Sequence, residues 1–384
     1  MEEWKEYRLG DILNFRRGHD LPRTEMKKGK IPVAGSNGII GFHNEFTPIS
    51  PCITIGRSGN VGTPYIYEEC WAHNTVLYVD DFKGNFPLYL YYLLKTLPLS
   101  SFGGGSAVPT LNRNHIHPLV VKHNPNIDVQ KRIAFILKSL DDKIELNRRI
   151  NDNLEQQAQA LFKSWFMDFE PFKEGEFVES ELGMIPKGWR IEPLCNWGQI
   201  ICGKTPPKAN KNFYNGDIPF IKIPDMHDHV YIIKTEDHLS NTGDESQKNK
   251  RIPPYSILVS CIATVGLVAM NTCMAHTNQQ INSIIPFYDY TRYYLFQTLG
   301  SMSEYIQNLG RGGTATLNVN SRIFSNIKTI TPPTDVLKKY SLIISSMFEQ
   351  IEKNEKTTQS LDSIRDTLLP RLMSGELKPS GITL

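Results

Sequence analysis

The feature that most constrains this chain of 384 residues is an internal repeat. The string GGSAVPTLNRN in the first half matches GRGGTATLNVN in the second, so that Asn318 lies 206 residues after Asn112. Asp335, at the head of the segment that follows the second string, lies 207 residues after Asp128. Further pairs at similar offsets are Val61-Gly62 with Val265-Gly266, Ala72-His73 with Ala275-His276, and Ile31-Pro32 with Ile218-Pro219. Offsets that drift this little are expected when surface loops gain or lose residues, so the chain is predicted to hold two copies of one unit.

Each copy ends in a stretch that is typical of a long helix. The first, DVQKRIAFILKSLDDKIELNRRINDNLEQQAQALFKSWF, contains neither Gly nor Pro, and its apolar residues recur at alternating steps of four and three. This period is the seam of a coiled coil. The seam residues are Ile133, Leu137, Leu140, Ile144, Leu154 and Leu161 in the first stretch, and Tyr340, Ile344, Met347, Ile351, Leu361 and Leu368 in the second. At about 1.5 Å per residue, each helix would be roughly 60 Å long.

The middle of each seam is polar. Asn147 and Asn151 interrupt the first seam, and Asn354 and Thr358 interrupt the second. A buried amide weakens apolar packing but restricts register, because it must find a polar partner. We therefore expect the two helices to pair with each other; the alternative is that each packs only on its own globular domain. If they pair within the chain with pseudo-twofold symmetry, they run antiparallel, and the globular domains lie at opposite ends of a rod.

The remaining residues are predicted to form two similar domains of mixed α/β type, which makes the chain α+β overall. Short β-like runs such as CITIG, TVLYVD, SILVSC and NSIIP alternate with loops rich in Gly, Pro and Asn, and each copy has one helical candidate. The predicted boundaries are 1–125 for the first domain, 126–170 for the first helix, 171–188 for a linker, 189–333 for the second domain, 334–373 for the second helix and 374–384 for a C-terminal tail.

Composition excludes several classes of protein. The six cysteines form no CxxC pair, so reduced thiols are expected rather than a zinc site or a disulfide framework. No run of about 18 apolar residues occurs, and the N-terminus lacks a signal-peptide pattern, so we expect a cytoplasmic protein. The net charge of +2 neither requires nor excludes a nucleic-acid partner, since a basic groove can lie on a nearly neutral protein.

One string imitates an enzyme motif. GQIICGKT, Gly198 to Thr205, satisfies the phosphate-loop pattern, but RIEPLCNW precedes it and Pro206-Pro207 follow it, where the motif needs an apolar strand and a helix. The first copy has FRRGHDLP at this place, without the Lys-Ser/Thr pair, so Gly18 aligns with Gly203 and nucleotide binding is not a property of the unit. No amino-methyltransferase motif is present, and a nuclease pattern is too loose to exclude. We predict no catalytic residues and no cofactor in this chain.

Two histidines occur at matching places in the two copies. His73 and His276 each stand near an asparagine, Asn74 and Asn278. Lone histidines are more often hydrogen-bonded structural residues than ligands, so no metal site is predicted.

The arrangement resembles the specificity subunits of type I restriction–modification systems over essentially the whole chain. The resemblance rests on GSNGIIGFHNEF, CITIGRSGNVG, WAHNTVLYV and GGSAVPTLNRNHI in the first domain, on the spacer FVESELGMIPKGW, and on the order domain, helix, domain, helix. The second domain departs more: ILVSCIATVG lacks the glycine and arginine of its counterpart, and SNGIIG has no clear partner.

The resemblance implies a non-catalytic DNA-binding subunit. Its two target recognition domains would each read one half of a bipartite, asymmetric sequence, and its helices would fix the distance between the half-sites. Expected partners are double-stranded DNA, two adenine methyltransferase (modification) subunits that bring S-adenosylmethionine, and two restriction subunits that use ATP and Mg. The alternative function is a protein-interaction scaffold that is built on the coiled-coil rod and does not bind DNA.

Candidate DNA contacts fall into two groups. The shared motif offers short donors for phosphate, although a turn capped by its own asparagines would show the same residues. Those candidates are Ser106, Thr110, Asn112, Arg113 and Asn114 in the first copy, and Thr314, Thr316, Asn318 and Asn320 in the second.

Base contacts should come from polar residues that differ between the copies, because Arg and Lys recognise guanine edges and Asn and Gln recognise adenine edges. Any one of these side chains alone is better explained as an ordinary solvated residue, so they are candidates as a set. The candidates are Arg16, Arg17, His19, Arg23, Arg57, Ser58 and Asn60 in the first domain, and Lys204, Thr205, Lys208, Lys211, Asn212, Lys222, Thr264, Asn278, Gln279 and Gln280 in the second.

Overall fold

A computed structural model describes residues 4–103, 110–311 and 317–381. The chain divides into two units, one made of Met1–Ile144 with Ser360–Leu384 and the other of Glu145–Gln359. The phosphate-contact candidates Ser106, Thr314 and Thr316 lie outside the described residues. None of the helices in the described ranges is long and apolar enough to span a membrane.

Among its described residues, the first unit contains nine strands and a long helix that continues into the second unit. Strands β2, β8, β5 and β6 form an antiparallel sheet in that order, β4, β3 and β7 form a second sheet, and β1 pairs with β9. The elements are β1 (Lys5–Arg8), α1 (Leu9–Ile12), β2 (Asn14–Arg17), β3 (Ile31–Gly35), β4 (Gly38–His43), β5 (Cys52–Gly56), β6 (Pro64–Tyr67), β7 (Trp71–Ala72), β8 (Val76–Asp81), α2 (Pro87–Lys95), α3 (Arg113–Ile116), β9 (Val120–His123) and α4 (Ile127–Phe166).

The second unit repeats this plan with additions. Strands β13, β20, β17, β18 and β15 form the large sheet, β16, β14 and β19 form the small one, and β12 pairs with β21. The elements are β10 (Phe177–Ser180), β11 (Gly183–Pro186), β12 (Arg190–Pro193), β13 (Gly198–Cys202), β14 (Tyr214–Ile221), β15 (Tyr231–Ile232), β16 (Asp237–Leu239), α5 (Asn241–Glu245), β17 (Ile257–Ser260), β18 (Val268–Asn271), β19 (His276–Thr277), β20 (Ile281–Pro286), α6 (Arg292–Ser301), α7 (Ser303–Leu309), α8 (Ser321–Ser325), β21 (Lys328–Thr331) and α9 (Thr334–Met373).

The small sheets show which segment of the second unit corresponds to SNGIIG. Ile31 pairs with His43 where β3 meets β4, and Ile218 pairs with Leu239 where β14 meets β16. Strand β16 is therefore the counterpart of β4, although the sequence showed no clear partner for SNGIIG. A two-residue turn precedes β4, whereas β16 follows a longer segment that also supplies β15, and this insertion hides the match.

Both long helices contribute to the apolar core of both units. In the first unit, Ile133 and Leu137 of α4 belong to one core cluster with Leu372 of α9. In the second unit, Phe166 of α4 and Tyr340 of α9 belong to one cluster, with their ring centroids 4.8 Å apart. Every predicted seam residue is buried or half-buried. Each helix therefore packs against a globular core and also contacts the other helix.

The polar residues at mid-seam contact one another within the second unit. Asn354 Nδ2 donates to Asn151 Oδ1 at 2.8 Å, and both side chains are buried. Asn147 Nδ2 donates to Thr358 Oγ1 at 3.3 Å. A buried amide that finds a polar partner in this way restricts the register of two helices.

Candidate nucleic-acid interface

Backbone hydrogen bonds align the two domains residue by residue at the ends of their large sheets. Gly18 N donates to Val76 O, and Gly203 N donates to Ile281 O, both at 3.1 Å. This confirms that Gly18 and Gly203 occupy the same place.

The same hydrogen bonds correct the register of the shared motif. Thr110 N donates to Gly103 O, and Asn318 N donates to the matching Gly310 O. Thr110 also forms an isolated bridge with the loop after β5, as Asn318 does with the loop after β17. Asn318 is therefore the equivalent of Thr110, and the pairing of Asn318 with Asn112 is wrong by two residues. The letters TLN are identical in both copies, but the backbone bridges from Thr110 and Asn318 show which residues are equivalent.

The true counterpart of Asn112 is Asn320, and both side chains cap a short helix. Asn112 Oδ1 accepts from Asn114 N, and Asn320 Oδ1 accepts from Ile323 N, both at 3.0 Å. These asparagines therefore stabilise the turn that leads into α3 or α8, as the capping interpretation of the motif predicts.

The match between His73 and His276 is also wrong. His73 N donates to Ala34 O, and the equivalent bond in the second domain runs from Asn278 N to Ile221 O. His276 pairs with Phe220 instead, where the first domain has Trp71. Strand pairing with β3 and β14 sets these positions, and it shifts the match by two residues.

His276 has a structural environment. Its imidazole is fully buried and lies 2.7 Å from Asp244, whose carboxylate also holds Arg251. Burial lowers the pKa of His276, and the hydrogen bond to Asp244 opposes that shift. Within the described ranges, no group of three His, Cys, Asp or Glu side chains is arranged to hold a metal ion.

Two predicted arginines of the first domain lie on the same face of its large sheet. Arg17 on β2 and Ile55 on β5 both pair with Leu77 of the strand between them. Arg57 follows Ile55 by two residues, so it points to the same side as Arg17. Burial lowers the pKa of the Arg57 guanidinium, and the positive charge of Arg17 lowers it further. Arg16 pairs with Tyr78 and lies on the opposite face.

The shared motif adds a third arginine that contacts strand β2. Leu111 N donates to Arg57 O at 2.7 Å, which ties the start of the motif to the loop after β5. Arg113 Nη1 donates to Phe15 O at 3.2 Å, so its guanidinium lies against β2. We call Arg17, Arg57 and Arg113 the arginine rim.

The other first-domain candidates are more scattered. His19 is half-buried, and its ring lies 5.7 Å from those of Trp71 and Tyr78. Ser58 and Asn60 stand in the loop after β5, and Asn60 accepts from Thr63 Oγ1. Asn114 is exposed on α3, and Arg23 is exposed on the connection between β2 and β3.

The second domain presents different chemistry at the same places. The hydrogen-bond register puts Cys202 where Arg17 lies, Cys261 where Arg57 lies, and Ser321 where Arg113 lies. The predicted basic residues Lys204, Lys208 and Lys211 are instead exposed in the connection between β13 and β14.

A cross-loop hydrogen bond recurs with changed residues. Thr205 Oγ1 bonds to Gln279 Oε1 at 2.6 Å, and Asn74 bonds to Asp20 at the equivalent place in the first domain. Lys204 N donates to Thr277 O, so this bond lies beside Lys204. Gln279 is exposed.

Three second-domain candidates, Lys222, Asn278 and Gln280, bond to other side chains of the protein. Lys222 lies 2.9 Å from Asp237 and 3.2 Å from Glu236, and the hydrogen bond to Asp237 contributes most to raising its pKa. Asn278 is buried, and its side chain bonds to the backbone and side chain of Gln280. These contacts leave the Lys222 ammonium and the Asn278 amide poorly placed to face a ligand.

The remaining second-domain candidates lie at the surface. Asn212 lies in the turn Lys211–Phe213 before β14, where its backbone N–H donates to the Asn210 side chain, and Thr264 lies in the loop after β17. The residue before Thr264, Ala263, has φ of 64°, and the equivalent Gly59 has φ of 80°. The left-handed turn is thus kept without glycine, although it strains a residue that has a Cβ.

Thr75 is a residue of this edge that the sequence did not single out. Its carbonyl accepts from Arg57 N at 2.8 Å, from Ser58 N at 3.3 Å and from Ser36 Oγ at 2.6 Å. The signal that could have found it is the polar string HNT directly before a buried strand, which is matched by NQQ in the second copy.

Comparison with known proteins identifies the family. A family model described as "Type I restriction modification DNA specificity domain" matches residues 1–156 and 186–362. The chain belongs to this family. It is 42% identical to the HindI type I restriction enzyme specificity subunit of Haemophilus influenzae, over 98% of this chain and 100% of that one. It is 32% identical to the MjaIX specificity subunit of Methanocaldococcus jannaschii, over 76% of this chain and 69% of that one.

A similar fold is known from the crystal structure of another protein. The S subunit of a type I restriction–modification system from M. genitalium matches with a TM-score of 0.64 at 14% identity, over 97% of this chain and 96% of that one. Family membership confirms the predicted resemblance, and it confirms that the chain is a non-catalytic subunit concerned with DNA specificity.

Proposed function

We propose that this specificity subunit reads a bipartite, asymmetric DNA target, with one half-site bound by each globular domain. The observation that carries the proposal is that the two domains share a backbone hydrogen-bond pattern but carry different side chains at equivalent positions. The two domains share backbone hydrogen bonds from Gly18 and Gly203 onward, yet the arginines of one rim are replaced by Cys202, Cys261 and Ser321 in the other. Two modules with one fold and different side chains at equivalent positions suit two different half-sites.

The long helices act in this proposal as a spacer, paired as an antiparallel coiled coil with pseudo-twofold symmetry. Helices α4 and α9 are both 40 residues long, and their starts are 207 residues apart. At that offset Asn147 corresponds to Asn354, and Asn151 to Thr358. The bonds Asn147–Thr358 and Asn151–Asn354 therefore exchange with each other under the repeat, as a twofold axis requires. A stiff spacer makes the gap between half-sites, about 34 Å for one helical turn of DNA, part of the specificity.

The proposed partners supply the chemistry. Two adenine methyltransferase subunits would bring S-adenosylmethionine, and two restriction subunits would use ATP and Mg. The duplicated unit supports a pair of each, because each copy offers its partner an equivalent surface.

An exchange of one domain tests the proposal. Residues 185–333 are replaced by the same region of a relative with a different target, and adenine methylation is mapped across the DNA of cells that also carry the methyltransferase partner. We expect a split motif in which one half changes while the other half and the gap stay the same. A change in both halves would contradict separate reading. No chain-dependent methylation, with an active partner, would favour the protein-interaction scaffold.

A further inference from the structure

The arginine rim lies where the apolar core of the first domain ends. Phe15 and Ile55 are fully buried on the face of the large sheet that packs into the core. Arg17 and Arg57 each follow one of them by two residues on the same face. Arg113 reaches β2 from α3 and is held by the Phe15 carbonyl. The side chains of Arg17 and Arg57 thus lie near each other at one end of the sheet, and Arg113 is bound to the backbone of the same strand as Arg17.

These charges are not balanced within the protein. Over the described ranges, no ion pair joins Arg17, Arg57 or Arg113 to a carboxylate, whereas Lys222 in the second domain has two carboxylate partners. Arg57 is half-buried beside Arg17, and this proximity is unfavourable until an electron-rich group approaches. The rim is therefore suited to a ligand that presents acceptor atoms.

The second domain indicates which part of DNA that ligand is. Phosphate contacts are independent of sequence, so two DNA-reading domains with one frame would both be expected to keep them. The three rim positions carry Cys202, Cys261 and Ser321 in the second domain, with no positive charge. Both domains carry exposed basic side chains elsewhere that could contact phosphate. They lie between β2 and β3 in the first domain and between β13 and β14 in the second. The arginine rim is therefore present in the first domain and not in the second, as expected of residues that read one half-site.

We propose that Arg17 and Arg57 read a guanine in the half-site of the first domain, with Arg113 positioning the edge of β2 beside them. Guanine presents O6 and N7 acceptors in the major groove, and the guanidinium fork matches this pair. This proposal rests on the proposed function and adds a residue-level prediction: a G·C pair is required in one half-site and is read by residues that the second domain lacks.

The test uses the complete subunit with its methyltransferase partner. Initial methylation rates are measured on duplexes in which each base pair of the first half-site is varied in turn; domain exchange identifies that half-site. For Arg17→Gln and Arg57→Gln, preference for guanine at one position is expected to fall about 5- to 150-fold, the range of one bidentate contact. Preferences within the second half-site stay unchanged. Arg8→Gln, which removes the same charge from exposed β1, is the matched control and keeps the guanine preference.

Several outcomes would overturn the proposal. A first half-site without a G·C pair would do so before any variant is made. An equal loss on every sequence, with a shallower dependence on salt, would assign the rim to phosphate. If Arg57→Gln yields no active complex, Arg57→Lys and Arg17→Gln decide, since lysine keeps the charge but loses the planar fork; full guanine preference in both would refute the reading. Absence of any split motif with the unaltered chain would instead refute the proposed function.

Discussion

The two domains differ most where their frames agree best. At the ends of the large sheets the same backbone bonds hold Arg57 in one domain and Cys261 in the other. The side chain of Arg57 is half-buried and charged, whereas Cys261 is buried and neutral, and burial raises the pKa of its thiol to about 11. This difference shows that the backbone hydrogen bonds at this position do not depend on which side chain occupies it. Specificity can then change without loss of fold.

A second difference lies where the helices meet each domain. Asp141 and Phe348 stand at equivalent positions, 14 residues after the start of α4 and of α9. Asp141 accepts from Tyr92 Oη at 2.7 Å and from Arg365 at 3.0 Å. Phe348 instead stacks on Tyr293, with ring centroids 4.5 Å apart. The first unit thus uses a polar contact where the second uses an apolar one.

The largest effect is expected from Phe348→Ala. Removal of this buried ring should lower the free energy of opening of the second unit by about 3–5 kcal/mol, because it leaves a cavity beside Tyr293. Asp141→Ala, the matched change in the first unit, should lower the free energy of that unit by about 1–3 kcal/mol, because Tyr92 loses its acceptor. Amide hydrogen exchange of the full chain, compared between α6 and α2, measures both. Equal losses would show that the two contacts are not different in kind.

A smaller effect, equal in both domains, is expected at the shared glycines. A Cβ at Gly18 would lie 2.1 Å from the His73 carbonyl oxygen, and one at Gly203 would lie 2.2 Å from that of Asn278. Gly18→Ala and Gly203→Ala should each destabilise their own domain by about 1–3 kcal/mol through overpacking. Gly300→Ala, with no atom within 4 Å of the added Cβ, is the control; because Gly300 lies in α6, where alanine is the better helix former, this change should not destabilise the domain. If only one of the two glycines is sensitive in hydrogen exchange, the frames are not equivalent.

The last effect is a dependence on pH that arises from one carboxyl and one imidazole of the second unit. Burial raises the pKa of the Glu155 carboxyl to about 7, and the negative charge of Glu355 adds to the shift. A hydrogen bond to Glu355 also raises the pKa of His229. Folded pKa values above the unfolded ones mean that the native state binds more protons, so stability is lost as pH rises from about 4.5 to about 7 for Glu155, and above about 6.5 for His229.

Glu155→Gln tests this dependence. The variant should flatten the fall in protection of α6 amides between about pH 4.5 and about pH 7, after correction for intrinsic exchange. The equivalent residue in the first unit is Asp362, which is paired with Arg365 at 2.9 Å. Asp362→Asn is therefore the control and should leave the profile of the second unit unchanged. A slope that persists in Glu155→Gln would assign the titration to another group.

Periodic and repeated features could be predicted from the sequence. The repeat and the two helices follow from long patterns, in which many residues report on one element and single errors do not matter. Seam residues such as Ile133 and Tyr340 are buried because a period of four and three can be satisfied only by one face of a helix.

The register of short motifs could not be predicted in the same way. Three identical letters match Asn318 to Asn112, whereas the backbone bridge to the loop after β17 makes it the equivalent of Thr110. A similar agreement of letters matches His276 to His73. Letters identify a loop, but long-range hydrogen bonds decide which residue of that loop stands at a given place.

The sequence could predict which polar residues are candidates for DNA contact, but not which of them lie together on one face of the sheet. Arg16 and Arg17 are adjacent and equally basic, and only the pairing of β2 with β8 puts one on the rim and the other on the opposite face. Lys222 and Asn278 satisfy the same criteria as Lys204, yet the fold pairs Lys222 with Asp237 and Glu236 and buries Asn278 against Gln280. Composition cannot reveal such partners, because they depend on the folded chain.

The division of the helices between the units also sets the order in which the chain can be completed on the ribosome. The second unit is finished once residue 359 has been made, but the core of the first contains Leu369, Leu372 and Met373, and Trp4 packs against Gly375. The unit whose synthesis begins first is therefore the last to close. A chain released before Leu369 would leave the ribosome with a finished second unit and an apolar surface still open on the first, which cellular proteases would recognise.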